Sequence, residues 1–250
     1  MRRNRLIPLV VVALLMAGTA VGVRVGLGSR RTRPTVAGVL VKRSLGPLAV
    51  RDETGHRTTL AALRGKVVVL APFLTLCHEV CPLTTGAFEA MRRAVDRAGL
   101  GRRVAFVEVS VDPWRDSPRR LRAFAHLTGI RFALLTGTNA ELTRFWRAFG
   151  VTFWRAREGR PADRDWLTGR RLTFDVSHTD ALFLIDARGR ERIVDIGTPR
   201  IGGRLPHSLR RLLNPQGRAG LKSKRPGWTV RQGLDDIGYL LGEPIPGPVG

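Results

Sequence analysis

Lys66 to Phe73 reads Lys-Val-Val-Val-Leu-Ala-Pro-Phe, and four residues later comes Cys77-His78-Glu79-Val80-Cys81-Pro82. A nearly continuous apolar run rich in β-branched residues fits a central strand buried on both faces. The two cysteines therefore stand at the C-terminal end of a core strand, with Pro82 suited to the first turn of a following helix. In open α/β sheets that junction is where sites are built.

The pattern on either side extends the sheet. Gly46 to Val50, a turn over Asp52 to His56, and Thr58 to Leu63 open the domain. Residues 83–98 have helical spacing, with Phe88, Met91 and Val95 on one side and Gly99 and Gly101 ending the run. Val104 to Val111 predicts a second strand, Ser117 to Leu127 a helix, Phe132 to Leu135 a third strand and Glu141 to Phe149 another helix. Residues 150–172, rich in Trp and Arg, read as an insertion or loop. Leu182 to Asp186 and Arg192 to Ile196, around a turn at Ala187 to Gly189, predict a closing hairpin, and Leu205 to Leu213 a last short helix. The order β-α-β-α followed by β-β-α is that of an α/β sandwich with a mixed central sheet.

The ends are of different character. Leu6 to Val23 is an uncharged run of 18 residues behind Arg2, Arg3 and Arg5. That length suits a short membrane-spanning helix, and the leading arginines favour a cytoplasmic N-terminus with the main domain outside. A cleaved signal peptide is the other reading, with Gly18 and Ala20 at the cleavage site. The expected organisation is a signal anchor over 1–28, a linker over 29–45, the main domain over 46–214 and a C-terminal extension over 215–250. That extension holds one amphipathic stretch, Val230 to Leu241. The expected location is the cell membrane, single-pass, with the domain extracytoplasmic.

The formal net charge is +23, which by itself invites nucleic acid or an anionic surface. Lysine occupies only positions 42, 66, 222 and 224, and the arginines are spread along the chain without a stripe or interleaved aromatics. No nucleic-acid motif accompanies them, so nucleic acid is not an expected partner.

Only two cysteines are present. In an exported domain such a pair is a disulfide, a metal site, or each in turn. A spacing of four on a helix or its first turn places both thiols on one face, and a helix N-terminus favours the thiolate, the metal-binding form. Sulfur ligands select Cu(I) or Zn(II), and an added nitrogen makes a site usable by Cu(II). The histidines are His56, His78, His126, His178 and His207. His56 lies in a turn, His207 opens a surface helix, His126 is expected to be partly buried and structural, and His78 projects away from the shared face of the thiols. His178, just before the closing hairpin, comes to the same sheet edge as the cysteines. A lone histidine is more often structural than a ligand, but position favours His178 as third donor.

The sequence resembles the SCO/SenC family from about Gly46 to Asn214, with the anchor in front. The residues that carry the resemblance are Gly65-Lys66, Cys77-x-x-x-Cys81-Pro82, Val109-Ser110-Val111-Asp112-Pro113 with Asp116-Ser117-Pro118, and Val176-Ser177-His178-Thr179 leading to Phe183-Leu184-Ile185-Asp186. The resemblance implies a thioredoxin-like sandwich and a copper site, Cu(I) or Cu(II), at Cys77, Cys81 and His178. It also implies delivery of copper to the dinuclear copper site of cytochrome c oxidase, or preparation of that site's thiols, with the copper-containing oxidase subunit and a thiol-disulfide reductant as partners. The chain departs from the family in having His78 where Pro is usual, and Ser177 where an Asp usually precedes the histidine. Asp175 or Asp180 is the expected substitute, and Asp112 is either a cap or a supporting group.

Two enzyme readings compete. A membrane-anchored extracytoplasmic thiol-disulfide oxidoreductase would use Cys77 and Cys81 as a redox disulfide. Against it, the spacing is three residues and no Pro lies between Pro161 and Pro199 to face the pair; His178 stands there instead. A peroxiredoxin-like peroxidase is suggested by Val109 to Asp112, but its Thr would stand three residues before the cysteine, and Thr75 stands two before Cys77.

Overall fold

The computed structural model describes residues 36–247, so the expected anchor over 1–28 lies outside the described residues. Among the described residues no helix is long and apolar enough to cross a membrane.

The strands in chain order are β1 (Val39–Ser44), β2 (Ala49–Arg51), β3 (Arg57–Thr59), β4 (Val67–Phe73), β5 (Val104–Ser110), β6 (Ala133–Leu135), β7 (Phe153–Ala156), β8 (Asp175–His178), β9 (Ala181–Ile185), β10 (Arg190–Ile196), β11 (Pro199–Arg200) and β12 (Trp228–Thr229). The α-helices are α1 (Cys81–Arg97), α2 (Pro118–Thr128), α3 (Asn139–Phe149), α4 (His207–Arg210), α5 (Pro215–Gly220) and α6 (Val230–Leu241). Six strands form one sheet in the order β1-β10-β9-β4-β5-β6. β4, β5 and β6 run parallel, while β9 is antiparallel to β4, β10 to β9 and β1 to β10. The mixed sheet expected from the element order is present, and every residue of β4 is buried.

Local chemistry explains the helix boundaries. Ser117 caps α2 by accepting from the Arg120 N–H, and Pro118 opens it. Thr138 and Glu141 form a reciprocal capping box on α3, satisfying two N–H groups that a helix start leaves open. Both helices end on left-handed glycines, Gly129 and Gly150, a conformation that costs glycine little. Phe88 of α1 meets Phe106 of β5 with centroids 5.8 Å apart, and Phe149 of α3 meets Phe183 of β9 at 5.0 Å.

Three sequence expectations are corrected. Residues 39–44, placed in the linker, form the edge strand β1 on β10; its six residues are mostly exposed, so backbone pairing holds it and no apolar alternation announces it. Residues 150–172 are not wholly loop, because β7 pairs with β8 to make a hairpin that ends on His178. The expected extension over 215–250 is, in its described residues 215–247, built into the domain: Trp228 is 1% exposed and Leu234 and Ile237 are 0% exposed. Burying each such side chain contributes about 1.5–3 kcal/mol. α6 packs on α1 and β4, and a Cβ at Gly233 would lie 2.5 Å from the Met91 sulfur, so only glycine permits that approach.

Candidate metal centre

β4 delivers the chain to Leu74–Val80, and α1 begins at Cys81. Cys77 therefore precedes the helix instead of lying on it. The pair meets for a different reason: Val80, the cap position of α1, makes no side-chain cap bond, and the Cys77 sulfur takes that role by accepting the Cys81 N–H at 3.3 Å. Hydrogen bonding from the Cys81 thiol, together with the N–H groups of Cys81, Glu79 and Val80, holds the Cys77 thiol below its ordinary value against the opposing effect of burial. Burial, followed by the bond to Cys77 and its charge, pushes Cys81 well above the ordinary thiol range. Helix-start N–H groups favour an anion, so Cys77 is the more readily ionised thiol of the pair. Both thiols are free, Cys77 partly exposed and Cys81 buried.

The loop is fixed from behind. Thr75 donates its N–H at 3.3 Å and its hydroxyl at 2.5 Å to Asp116, which also accepts from the Ser110 hydroxyl at 2.7 Å. Asp116 is pushed up to about 7 by burial, with the charge of Asp112 adding to it. Trp166 donates its indole N–H to the Thr75 carbonyl at 2.7 Å. The indole is itself set by Asp165, which takes a two-pronged bond from Arg120 at 2.8 and 2.9 Å.

Cys77, His78 and His178 line one pocket of about 180 Å³. Five carboxylates join them, from Glu79, Glu158, Asp163, Asp175 and Asp180, a concentration of negative charge on a chain of net +23. His178 ends β8 with its side chain 6% exposed; its Nδ1 is 3.1 Å from the Thr179 carbonyl and 3.6 Å from Asp180. The carbonyl can only accept, so Nδ1 is the donor nitrogen, which leaves Nε2 as the one with a lone pair to offer a metal ion. Among the described residues no three His, Cys, Asp or Glu side chains already stand at ligand spacing. The donor chemistry nonetheless fits one soft or borderline ion: a thiol with lowered pKa at Cys77, a second thiol at Cys81 whose backbone N–H bonds the Cys77 sulfur, and the imidazole of His178 lining the same pocket as Cys77.

The supporting residues divide clearly. Asp180 stands beside the His178 ring and is raised by burial, with His178 lowering it and Glu79 raising it. Asp175 instead commits an oxygen to the neighbouring Val176 N–H at 2.7 Å, and Ser177 lines the pocket opposite Trp154 in the hairpin. Asp112 does not line the pocket; it is fully buried and binds Arg115 at 2.5 Å. Arg115 reaches on to the Phe174 carbonyl at 2.7 Å and covers the Phe174 ring at 4.1 Å, so Asp112 anchors the start of the His178 strand. His126 is exposed on α2, not partly buried as expected, because Leu121, Phe124 and Thr128 occupy the inward side. His56 bonds Thr54 in its turn.

The SCO1/SenC family model matches residues 41–196. The chain belongs to the SCO1/SenC family. It is 27% identical over 153 residues to a Stutzerimonas stutzeri protein named "Putative copper-binding protein", covering 60% of this chain and 68% of that one. It is 23% identical over 145 residues to an SCO2-like protein of Rickettsia prowazekii, covering 58% and 65%. In fold it is similar to an SCO1/SenC lipoprotein of Bacillus anthracis (24% identity, TM-score 0.51, 71% of this chain and 97% of that one). It is similar likewise to the Arabidopsis thaliana ScoI solved with copper bound (21%, 0.51, 66% and 92%). The SCO1/SenC match ends at residue 196, so α4, α5 and α6 lie beyond it.

Proposed function

We propose that this SCO1/SenC protein is a copper metallochaperone that takes its cargo ion at Cys77, Cys81 and His178. It passes the ion by ligand exchange to the dinuclear copper site of cytochrome c oxidase. The observation that carries this reading is that Cys77 and His178, 101 positions apart in the chain, line the same pocket, with Cys81 hydrogen-bonded to the Cys77 sulfur. Soft sulfur donors hold Cu(I), and the imidazole extends the site to Cu(II). The copper named for the Stutzerimonas stutzeri relative and the copper bound in the Arabidopsis thaliana ScoI structure support it.

Bond formation between Cys77 and Cys81 would remove both sulfur donors, so a thiol reductant has to keep the pair open before loading. The apolar run over 6–23 is read as a single-pass anchor that holds this domain on the extracytoplasmic side of the cell membrane, where an oxidase subunit presents its copper site.

The test is copper stoichiometry of the reduced full chain beside Cys77→Ala, Cys81→Ala and His178→Ala. One copper per chain is expected for the parent, lost in the cysteine variants and spectrally altered in His178→Ala. A parent-like Cu(II) spectrum in His178→Ala would sink the three-donor site. The thiol-disulfide oxidoreductase reading draws on the partly exposed, thiolate-favoured Cys77; reduction of insulin disulfides without copper retention would select it.

A further inference from the structure

His78 Nδ1 lies 2.6 Å from the carbonyl oxygen of Leu212. The carbonyl accepts and cannot donate, so Nδ1 carries the proton and Nε2 of the neutral ring holds a bare lone pair. That Nε2 is buried and has no hydrogen-bond partner among the described residues. A buried acceptor left unpaired in a native protein calls for an explanation, and a role as a metal donor supplies one. A ring nitrogen donating to a backbone carbonyl while the other stays free is the arrangement that orients metal-ligating imidazoles.

The ring is braced from outside the family-matched region. The His78 carbonyl accepts the Asn214 N–H at 2.9 Å. Gly217 presses so close that a Cβ there would sit 2.5 Å from the same carbonyl. His78 and His178 line one pocket with Cys77, and both turn Nδ1 to a backbone carbonyl.

We propose that His78 Nε2 is a second imidazole donor to the copper ion taken at this pocket, completing a two-sulfur, two-nitrogen set with Cys77, Cys81 and His178. The proposal rests on the copper reading above. Square-planar or tetragonal nitrogen-containing sets suit Cu(II), so the second imidazole stabilises the oxidised ion, and the Leu212–Asn214 brace fixes its direction. The carboxylates at the pocket draw the cation in. The competing role for His78 is purely structural, as a tie between the cysteine loop and the segment around Leu212.

Pulsed EPR of the reduced full chain loaded with one equivalent of Cu(II) counts coordinated imidazoles through their remote nitrogens. Two are expected in the parent, one in His78→Gln and one in His178→Ala. Gln at 78 retains a donor for Leu212 but lacks the ring nitrogen, and its Cu(II) affinity is expected to fall at least about tenfold. A single imidazole in the parent overturns the proposal without needing any variant to fold. If His178→Ala loses it while His78→Gln keeps it, the three-donor reading stands and the role of His78 is structural. No Cu(II) bound by the parent overturns both.

Discussion

Trp166 donates its indole N–H to the Thr75 carbonyl over 2.7 Å, tying the segment between α3 and β8 to the loop that carries Cys77. The ring also packs on Phe124, with centroids 5.9 Å apart, so the bond and the apolar contact can be separated. Trp166→Phe keeps most of the packing and removes the donor, leaving the Thr75 carbonyl unpaired. A loss of about 1 kcal/mol is expected, read as a lower urea midpoint at unchanged slope. An unchanged midpoint would mean that solvent satisfies Thr75 and that the tie contributes nothing.

The two cysteines differ in exposure and in thiolate character. Cys77 is partly exposed with its thiol held down, whereas Cys81 is buried with its thiol pushed up. Alkylation requires an accessible thiolate. A short iodoacetamide pulse on the folded, reduced, copper-free protein is therefore expected to label Cys77 and spare Cys81, by peptide mass spectrometry. Equal labelling, or Cys81 first, would contradict the reading of Cys77 as the more readily ionised thiol.

Asp195 of β10 and Asp236 of α6 form a buried carboxyl pair where β1 enters the sheet. Asp236 accepts the N–H groups of Ala37 at 2.6 Å and Gly38 at 3.2 Å. Asp195 is pushed up to about 7 by burial, with the charge of Asp236 and the bond between them adding to it. Asp236 is also raised by burial, partly offset by its backbone bonds, while nearby Asp235 raises it further. The folded protein thus keeps a proton that the unfolded chain releases near the ordinary carboxylate value, at about pH 4. The sign follows: the stabilisation is full below about pH 4 and is lost as pH rises through about 7. The urea midpoint should fall between about pH 4 and about pH 7, and Asp195→Asn, which cannot ionise, should flatten that fall. A parent and variant with the same pH slope would exclude the pair as its source.

Glu108 of β5 is fully buried and accepts the Thr85 hydroxyl at 2.9 and 3.0 Å. Burial pushes it up to about 8, so it is a neutral acid at pH 7 and loses its contribution as pH rises through about 8. Glu108→Gln keeps the shape and the neutrality and should change stability at pH 7 by no more than about 0.5 kcal/mol. Thr85→Val removes the donor and should cost about 1–3 kcal/mol. A Glu108→Gln loss as large as that of Thr85→Val would show that Glu108 is ionised in the fold.

The readable parts of the fold share one property, that their cause lies within a few residues. β4 follows from an unbroken apolar run. The α3 capping box follows from Thr138 and Glu141, and the end of α2 from Gly129. β1 was not legible because its VLVKRS segment is held by main-chain bonds to β10, which leave no side-chain pattern. The β7–β8 hairpin was hidden for a similar reason: its residues are mainly half-buried or exposed, so neither strand shows a clean alternation. The burial of α6 depends on Gly233 meeting Met91, a contact between segments 142 positions apart.

The donor set itself was written in the sequence, since thiols at 77 and 81 beside a helix start carry their chemistry wherever the chain goes. Which imidazoles join them was a tertiary matter. His178 reaches the pocket because β8 pairs with β7 and leads into β9, and His78 has its proton assigned by the carbonyl of Leu212. A hydrogen bond of 2.6 Å between residues 134 positions apart has no local signature. Such a contact exists only once the sheet has closed and the C-terminal helices have docked on it.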